Sequence, residues 1–560
     1  YNDVFPQVNW WDELAQTGFS QSYNVTIRGG TEFIRYFASV GYQHDGDIYD
    51  LEKQEYFNPN HSYDRYNWRS NLDFNLSKST VLSINIAGKM GYQDKTFASS
   101  PYLRILTAPT NIFPVQYSDG QWGDIDYLNP VANMNQNGIL QRKEFQGWYD
   151  VKLDQKRDFI TKGLKVNAQL SYSSSSKTRS DIRNGGRLGN SNDAAYKSLV
   201  RYLRTYDYAN PTVNADGSLS YPLLSETRLP DEETIGMPPS VSYDNLDGYT
   251  RKLYYEFGIN YSRGFGDHNV SALALVNRQI QDNRNGGNNT IRFANYREDW
   301  VGRLTYNWKE RYLTEFNISY TGSEKFERVN RFGLFPSVSV GWRASEENFI
   351  KKIAGDVLTN LKFRYSYGKT GYDGDWTANR WMYVQSYQSG GQVTFGDTSE
   401  VGFGPLYWEG TMANAYATWE ESIKQNLGIE IGLWNKLNIT VDLFDEKRDG
   451  ILMTPKTIAD WVSIGQSRAN KGRTKNHGFE IELSWKDRIG QDFNYWANFG
   501  MSASENSVVV RDDTRDYAEY LKLAGKPIYS DDANTKRFLA SGNYGTRDDI
   551  FNAAQYNVKG

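Results

Sequence analysis

Between Gln425 and Glu446 two runs of alternating apolar and polar residues stand close together. Leu427, Ile429, Ile431 and Leu433 fall on one side of the first half, with Asn426, Gly428, Glu430 and Gly432 on the other; Ile439, Val441 and Leu443 oppose Asn438, Thr440 and Asp442 in the second. A period of two is the pattern of a β-strand with two unlike faces. Only Trp434, Asn435, Lys436 and Leu437 stand between the halves, so the two strands are predicted to pair antiparallel.

This two-faced hairpin recurs through the chain. Tyr23, Val25 and Ile27 lead through Gly29-Gly30, predicted to turn on the positive φ that glycine permits, into Tyr36, Ala38, Val40 and Tyr42. Trp68–Leu76 and Leu82–Met90 follow, then Trp148–Leu153 with Leu164–Tyr172, Tyr255–Tyr261 with Val270–Val276, and Gly302–Trp308 with Phe316–Tyr320. Val338, Val340 and Trp342 precede Leu361–Tyr367, and Phe479–Trp485 precedes Phe493–Met501. About sixteen strands are predicted, most close to the roughly nine to eleven residues that a tilted strand needs to cross a bilayer.

The connections alternate in length. Those at Gly29, Ser77, Gly264, Lys309, Asn435 and Arg488 are tight, whereas those beginning at Gln93, Ser173, Gln279, Thr321, Lys369 and Lys447 are long. Two excursions stand out: a Pro-, Gly-, Asn- and Asp-rich segment running to Glu144, predicted to be loop, and Ser173–Thr250, predicted to be irregular apart from one helix over Ala194–Tyr206. Tight turns at one end and elaborated loops at the other are the asymmetry of outer-membrane barrels, whose long loops face outward. A soluble sandwich or propeller has no reason to alternate so regularly.

Composition fits that reading. Hydrophobic residues make up 39% of the 560 and mean hydropathy is −0.70, yet aromatics reach 15%, with 41 Tyr and 16 Trp. Such rings suit polar–apolar boundaries, although a soluble protein stacking sugars on Trp and Tyr would share the bias. A net charge of −4 gives no reason to expect a nucleic-acid partner. Cysteine is absent, which excludes disulfides and thiolate metal sites. Apolar runs such as Ala272–Val276 fall far short of the roughly 20 residues of a spanning helix, so a membrane role requires a barrel. No signal peptide is read at Tyr1, which is expected to be either the start left after its removal or not the native start.

No catalytic constellation emerges, and the chain is not expected to be an enzyme or to hold a cofactor. His44, His61, His268 and His477 are scattered and lack metal-ligand spacing. Acidic clusters at Asp119, Asp124 and Asp126, at Asp373 and Asp375, and at Asp531 and Asp532 do not follow the twelve-residue calcium-loop pattern and read as solvated loop carboxylates. Aromatics in the long loops are the candidate substrate-binding residues: Trp122, Tyr127, Trp376, Trp381, Tyr407 and Trp408, with Tyr383 and Tyr387 beside them. A ring face with a polar edge suits a sugar or a peptide.

Several stretches resemble the SusC-like (SusC/RagA-type) branch of the TonB-dependent outer-membrane transporters of Bacteroidetes type. Trp10-Trp11-Asp12, Gly18–Thr31 and Arg35–Ser39 are similar to the first barrel hairpin of that family. Phe335-Pro336-Ser337, Gly341-Trp342-Arg343 and Glu347-Asn348-Phe349 resemble its mid-barrel signature, as do Leu361–Gly371 and Trp419-Glu420. Asn470-Lys471-Gly472 and Asn476–Glu480 are similar to its N-x-G and N-x-G-x-E elements. Pro109–Trp122, with the turn Tyr117-Ser118-Asp119-Gly120, and Pro211–Tyr221, with Asn214-Ala215-Asp216-Gly217, resemble family loop elements expected near the extracellular mouth.

The resemblance implies an all-β, antiparallel transmembrane barrel, with residues 1–560 as a partial barrel domain: a complete barrel of the family has about 22 strands. The N-terminal plug, the TonB-contacting segment and the C-terminal strands are expected outside this chain. It further implies uptake of a glycan or peptide nutrient across the outer membrane, with a SusD-like surface lipoprotein at the barrel mouth, energy relayed by the TonB complex, and lipid around the wall. A passive porin, or a secreted β-rich carbohydrate-binding protein or enzyme, are the alternatives.

Overall fold

The computed structural model describes residues 3–54, 57–98, 100–125, 128–183, 201–229, 240–285, 293–374, 380–394, 402–457, 464–513, 519 and 522–528. The chain divides into two units. One holds the residues up to Tyr306 together with Asn317–Glu324, and the other holds Asn307–Phe316 and the residues from Lys325 on. None of the described helices is long and apolar enough to cross a membrane.

In chain order the strands are β1 (Ser20–Gly30), β2 (Ile34–Asp45), β3 (Ser62–Ser77), β4 (Thr80–Thr96), β5 (Gly138–Lys156), β6 (Leu164–Arg183), β7 (Arg201–Tyr206), β8 (Thr212–Val213), β9 (Leu219–Ser220), β10 (Leu223–Leu229), β11 (Ser240–Phe265), β12 (His268–Asn285), β13 (Asn295–Trp308) and β14 (Tyr312–Ser323). They continue as β15 (Phe332–Arg343), β16 (Leu358–Tyr372), β17 (Tyr387–Thr394), β18 (Gly402–Glu409), β19 (Glu420–Leu433), β20 (Leu437–Met453), β21 (Ala469–Ile489) and β22 (Phe493–Val510). Four short helices join them: α1 (Trp10–Leu14), α2 (Pro101–Thr107), α3 (Pro130–Gln136) and α4 (Asn348–Ala354). Sixteen of the strands form one antiparallel sheet in the order β1-β2-β3-β4-β5-β6-β11-β12-β13-β14-β15-β16-β19-β20-β21-β22, the number and pairing that the alternation predicts.

Register keeps like opposite like. Leu427 faces Leu443, Ile429 faces Val441 and Ile431 faces Ile439, while Glu430 faces Thr440 and Gly428 faces Asp442. Among the described residues no core covers the apolar face: Tyr23, Val25 and Ile27 on β1 and Val40 on β2 are each about two-thirds exposed. A band of this kind suits acyl chains, not water. On the polar face Arg364 binds Glu430 at 3.2 Å and Asp442 at 2.7 Å, and Lys362 binds Glu430 at 3.1 Å.

The tight turns fall where expected, with one difference in mechanism. Trp434 and Asn435 both adopt positive φ, as do Lys309 and Glu310, the conformation of a type I′ hairpin. Gly29 and Gly30, however, are the last residues of β1 and do not turn the chain. Thr31 does so, its Oγ1 accepting from the amides of Phe33 and Ile34, both at 3.2 Å. The Tyr36 ring lies across Gly29, where a Cβ would be 2.5 Å from its hydroxyl.

The two excursions are more ordered than their composition suggests. The first carries α2 and α3, each opened by proline in its first turn, where the missing N–H costs nothing. In the second, the predicted helix over Ala194–Tyr206 is corrected: Arg201–Tyr206 is β7, paired antiparallel with β10, and the remainder of that span lies outside the described residues. Leu203 and Tyr206 are compatible with helical spacing, but an available partner strand decides the backbone. The turns at Gly120 and Gly217 form as expected, with φ of 82° and 83°.

Candidate functional site

The hydrophobic cores of both units are built mainly from the long connections, with Leu452 of β20 and Phe335 of β15 joining the second. In the first unit Trp10, Leu14, Phe113 and Met134 are almost fully buried, with Trp122 and Leu203 packed against them. The segment before β1 is sewn into this core: the Trp10 indole donates to the Pro109 carbonyl at 3.0 Å, and the Val8 amide to that of Thr110 at 2.8 Å. Ser118 donates from its amide and hydroxyl to the Asp3 carboxylate, and Phe5 packs against Tyr208 and Tyr221 of the β8–β9 hairpin region.

Polar groups lock this core. Asp124 accepts from the amides of Leu128 (2.6 Å) and Asn129 (2.9 Å) and pairs with Arg201, whose guanidinium also donates to Asn133 at 2.7 Å. Both charged side chains are fully buried. Burial raises the Asp124 carboxyl above its ordinary range even though Arg201 pulls the other way. Nearer solvent, Arg204 binds Asp119 and Glu226 and lies 4.5 Å from the Tyr117 ring centroid. The hydrogen bond from Arg204 holds Asp119 below the usual carboxylate range, and burial pushes the Tyr117 hydroxyl up to about 12. Two of the predicted loop carboxylates are thus ion-paired, Asp124 in a buried position, and Asp126 lies outside the described residues. Sequence spacing could not reveal this, because Arg201 is 77 residues away from Asp124.

In the second unit the core is Phe326, Met382, Ala417, Trp419 and Leu452, with Phe335 against it. Stretches far apart in sequence meet here. Trp419 packs on Phe326 and Phe335, with ring centroids 5.6 and 5.3 Å away, and its indole donates to the Arg331 carbonyl at 3.1 Å. Glu420 accepts from the Leu452 amide at 3.0 Å. Asn470 donates to the carbonyls of Thr418 (2.8 Å) and Gly450 (2.6 Å) and accepts from the Thr418 amide (2.9 Å). Gly371 leaves room for Phe335, whose Cζ would be 2.0 Å from a Cβ at that position. Asp373 pairs with the buried Lys325 at 3.3 Å, and Asp375 lies outside the described residues.

From this core the β17–β18 hairpin projects. The Thr411 amide donates to Ser386 Oγ at 2.8 Å and the Gly410 amide to the Ser386 carbonyl at 2.8 Å, fastening its root. Tyr387 pairs with Glu409 and Ser389 with Tyr407, so Tyr387 and Tyr407 share one face and Trp408 occupies the other. Tyr407 is 74% exposed; Trp408 is 46% exposed and its indole donates to Gln388 at 3.2 Å. Trp381, in the left-handed region at φ 65°, lies beside Tyr383 with the Arg380 guanidinium 5.0 Å from its centroid.

The candidate aromatics therefore divide. Trp381, Tyr407 and Trp408 belong to the second unit and are exposed, Trp381 with the Arg380 guanidinium over its ring. Trp122 is half-buried in the core of the first unit, its carbonyl accepting from the Tyr202 amide at 2.8 Å. Tyr127 and Trp376 lie outside the described residues. A separate cleft of about 950 Å³ opens on the polar face of β1–β5, lined by Arg65, Asn67, Arg69, Lys89 and Asp150 among others. Among the described residues no cluster of His, Asp and Glu is arranged to hold a metal ion.

No family model matches the chain. It is 24% identical over 546 residues to the TonB-dependent receptor SusC of Bacteroides thetaiotaomicron, covering 92% of this chain and 50% of SusC. It is also 24% identical over 508 residues to the TonB-dependent receptor P39 of Formosa agariphila, covering 89% of this chain and 44% of that protein. The chain thus spans about half the length of these relatives. Among solved structures, the RagAB peptide transporter matches with a TM-score of 0.63 at 14% identity, over 90% of this chain and 52% of that one. The RagAB peptide importer in its closed-closed state matches with a TM-score of 0.62 at 15% identity. In sequence the chain is similar to SusC and other TonB-dependent receptors, and its strand architecture is that of an outer-membrane β-barrel.

Proposed function

We propose that the chain is the wall and outer loops of a nutrient importer that takes up a glycan or a peptide by a TonB-dependent route, acting with a SusD-like surface lipoprotein. The observation that carries this reading is the alignment with a TonB-dependent receptor across nine-tenths of the chain. The alternation of tight turns with long, internally packed connections supports it, because a passive pore needs no such folded cap. RagAB is a peptide transporter and SusC is a receptor, which supports a small polymer as cargo without choosing between sugar and peptide. In this reading the plug and the TonB-contacting segment belong to the half of the relatives' length that the chain does not span. Trp381, Tyr407 and Trp408 are the ring faces offered to cargo or lipoprotein, and Trp122 supports the loop core.

The test is uptake by the native host. Cells lacking the gene should fail to accumulate a labelled oligosaccharide or oligopeptide that the parent takes up, and a protonophore should abolish the parent's uptake. Uptake that persists after the protonophore would instead identify a passive pore. Purification from detergent-solubilised outer membranes should bring down a lipoprotein in stoichiometric amount.

A further inference from the structure

The connection between β15 and β16 departs from every other tight turn: it spans residues 344–357 and carries α4, within the second unit. It sits at the short-turn end, which in outer-membrane barrels faces the periplasm. At 100° per residue, Phe349, Ile353, Ile350 and Ala354 fall on one arc of α4, and Lys351, Asn348 and Lys352 on the opposite one. Among the described residues only half of the apolar arc is covered. Ile350 and Ala354 are half-buried, whereas Phe349 is 58% and Ile353 84% exposed.

What borders the helix indicates what covers that remainder. The apolar face of β15 runs through the exposed Val338 and Val340 to Trp342, which stacks on Phe363 of β16 at 5.8 Å. The Trp342 indole donates to Glu347, the residue before α4, at 3.3 Å. The Tyr312 hydroxyl donates to the same carboxylate at 2.8 Å, Tyr312 itself stacking on Trp308 at 5.6 Å, and Arg311 pairs with it at 3.3 Å. Trp and Tyr with their polar edges gathered at one level mark the boundary of an apolar band. The helix begins at that boundary, its exposed apolar pair continuing the band and the exposed Lys352 on its polar side.

We propose that α4 is a lipid anchor: Phe349 and Ile353 insert into the inner leaflet of the outer membrane at the level of Trp342, and Lys352 meets phospholipid phosphate. An amphipathic helix lying in the interface plane has this arrangement. The inference rests on the outer-membrane reading above and fixes where the periplasmic boundary of the membrane meets the wall.

The chain contributes no cysteine of its own, so single-cysteine spin labels can be placed at its positions once any cysteine elsewhere in the full-length protein is replaced by serine. The full-length protein carrying Ile353→Cys, Val340→Cys or Tyr407→Cys would be placed in phospholipid nanodiscs, and each label's collisions with oxygen and with a water-soluble nickel chelate compared. The expected result is an oxygen-to-nickel ratio at position 353 close to that at 340 and well above that at 407. A ratio at 353 matching 407, with 340 still in lipid, overturns the anchor and leaves the membrane reading intact. An immobile label at 353 shielded from both reagents means protein covers the helix and also overturns it. If 340 itself proves water-exposed, the membrane reading falls and the anchor with it.

Discussion

Asn470 and Thr418 hold each other by two hydrogen bonds, the Asn470 carboxamide donating to the Thr418 carbonyl while accepting from its amide. The same carboxamide donates to Gly450, so one side chain joins the end of the longest described connection in the second unit to β20 and β21. Replacing Asn470 by Ala leaves three backbone groups without their partner and is expected to cost about 1–3 kcal/mol. Asn470→Asp, which sets a carboxylate oxygen against the Thr418 and Gly450 carbonyls, should cost at least as much as the alanine change. Thermal unfolding together with hydrogen exchange at the Thr418 amide checks both.

Gly371 and Phe335 make a steric lock in the same core. Gly371→Ala drives a methyl into the Phe335 ring, displaces it from Trp419, and is expected to destabilise by about 1–3 kcal/mol. Gly371→Ala combined with Phe335→Leu should recover part of that loss, which chemical denaturation of the two variants would measure.

Arg201 is the partner that makes burial of Asp124 tolerable. Arg201→Met leaves a buried carboxylate uncompensated and is expected to cost about 3–5 kcal/mol, whereas Arg201→Met with Asp124→Asn should cost less than the single change. Protease cleavage within 101–136 offers a local readout of this core.

Asp119 and Asp124 titrate with opposite sign. Asp119 is held below the carboxylate range, so its contribution is present above its unfolded value of about 4 and is lost as pH falls through the lower folded value. Asp124 is held above that range, so its contribution is greatest at low pH and declines as pH rises through the raised folded value. The stability advantage of the native protein over Asp119→Asn should vanish on acidification, and its advantage over Asp124→Asn should grow. Melting temperatures of both variants between about pH 3 and 7 test the pair.

Tyr407 and Trp122 should separate binding from folding. Tyr407→Ala and Trp381→Ala are expected to leave the melting temperature unchanged and to weaken cargo binding by about 0.5–1.5 kcal/mol each. Trp122→Ala is expected to lower the melting temperature first, since its ring packs on Trp10 and Phe113's core. Calorimetric titration beside thermal unfolding distinguishes the two outcomes.

The strands were legible because a sheet with unlike faces writes its period directly into the residues, as in Leu427, Ile429 and Ile431 opposite Leu443, Val441 and Ile439. Tight turns were legible for the same reason, since little room remains between adjacent runs. The loops were not. Pro, Gly and Asn mark where regular structure stops, yet they conceal that Trp10, Phe113 and Met134 converge over more than a hundred residues, or that Asp124 finds Arg201. Arg201–Tyr206 shows the limit: six residues compatible with a helix become a strand because β10 lies beside them. The aromatic candidates share this limit, because Trp122 and Tyr407 look alike in sequence and differ only in what surrounds them.

A chain whose greasy cores are built mainly from its connections answers to two solvents. Among the described residues no core covers the apolar side of the sheet, so its standing depends on the surrounding amphiphile, while the connections fold by expelling water in the manner of any globule. The two parts can therefore be undone separately. Stripping lipid threatens the wall and leaves Trp10 and Trp419 where they are; flooding the loop cores with denaturant opens the cap over strands that still hold hands.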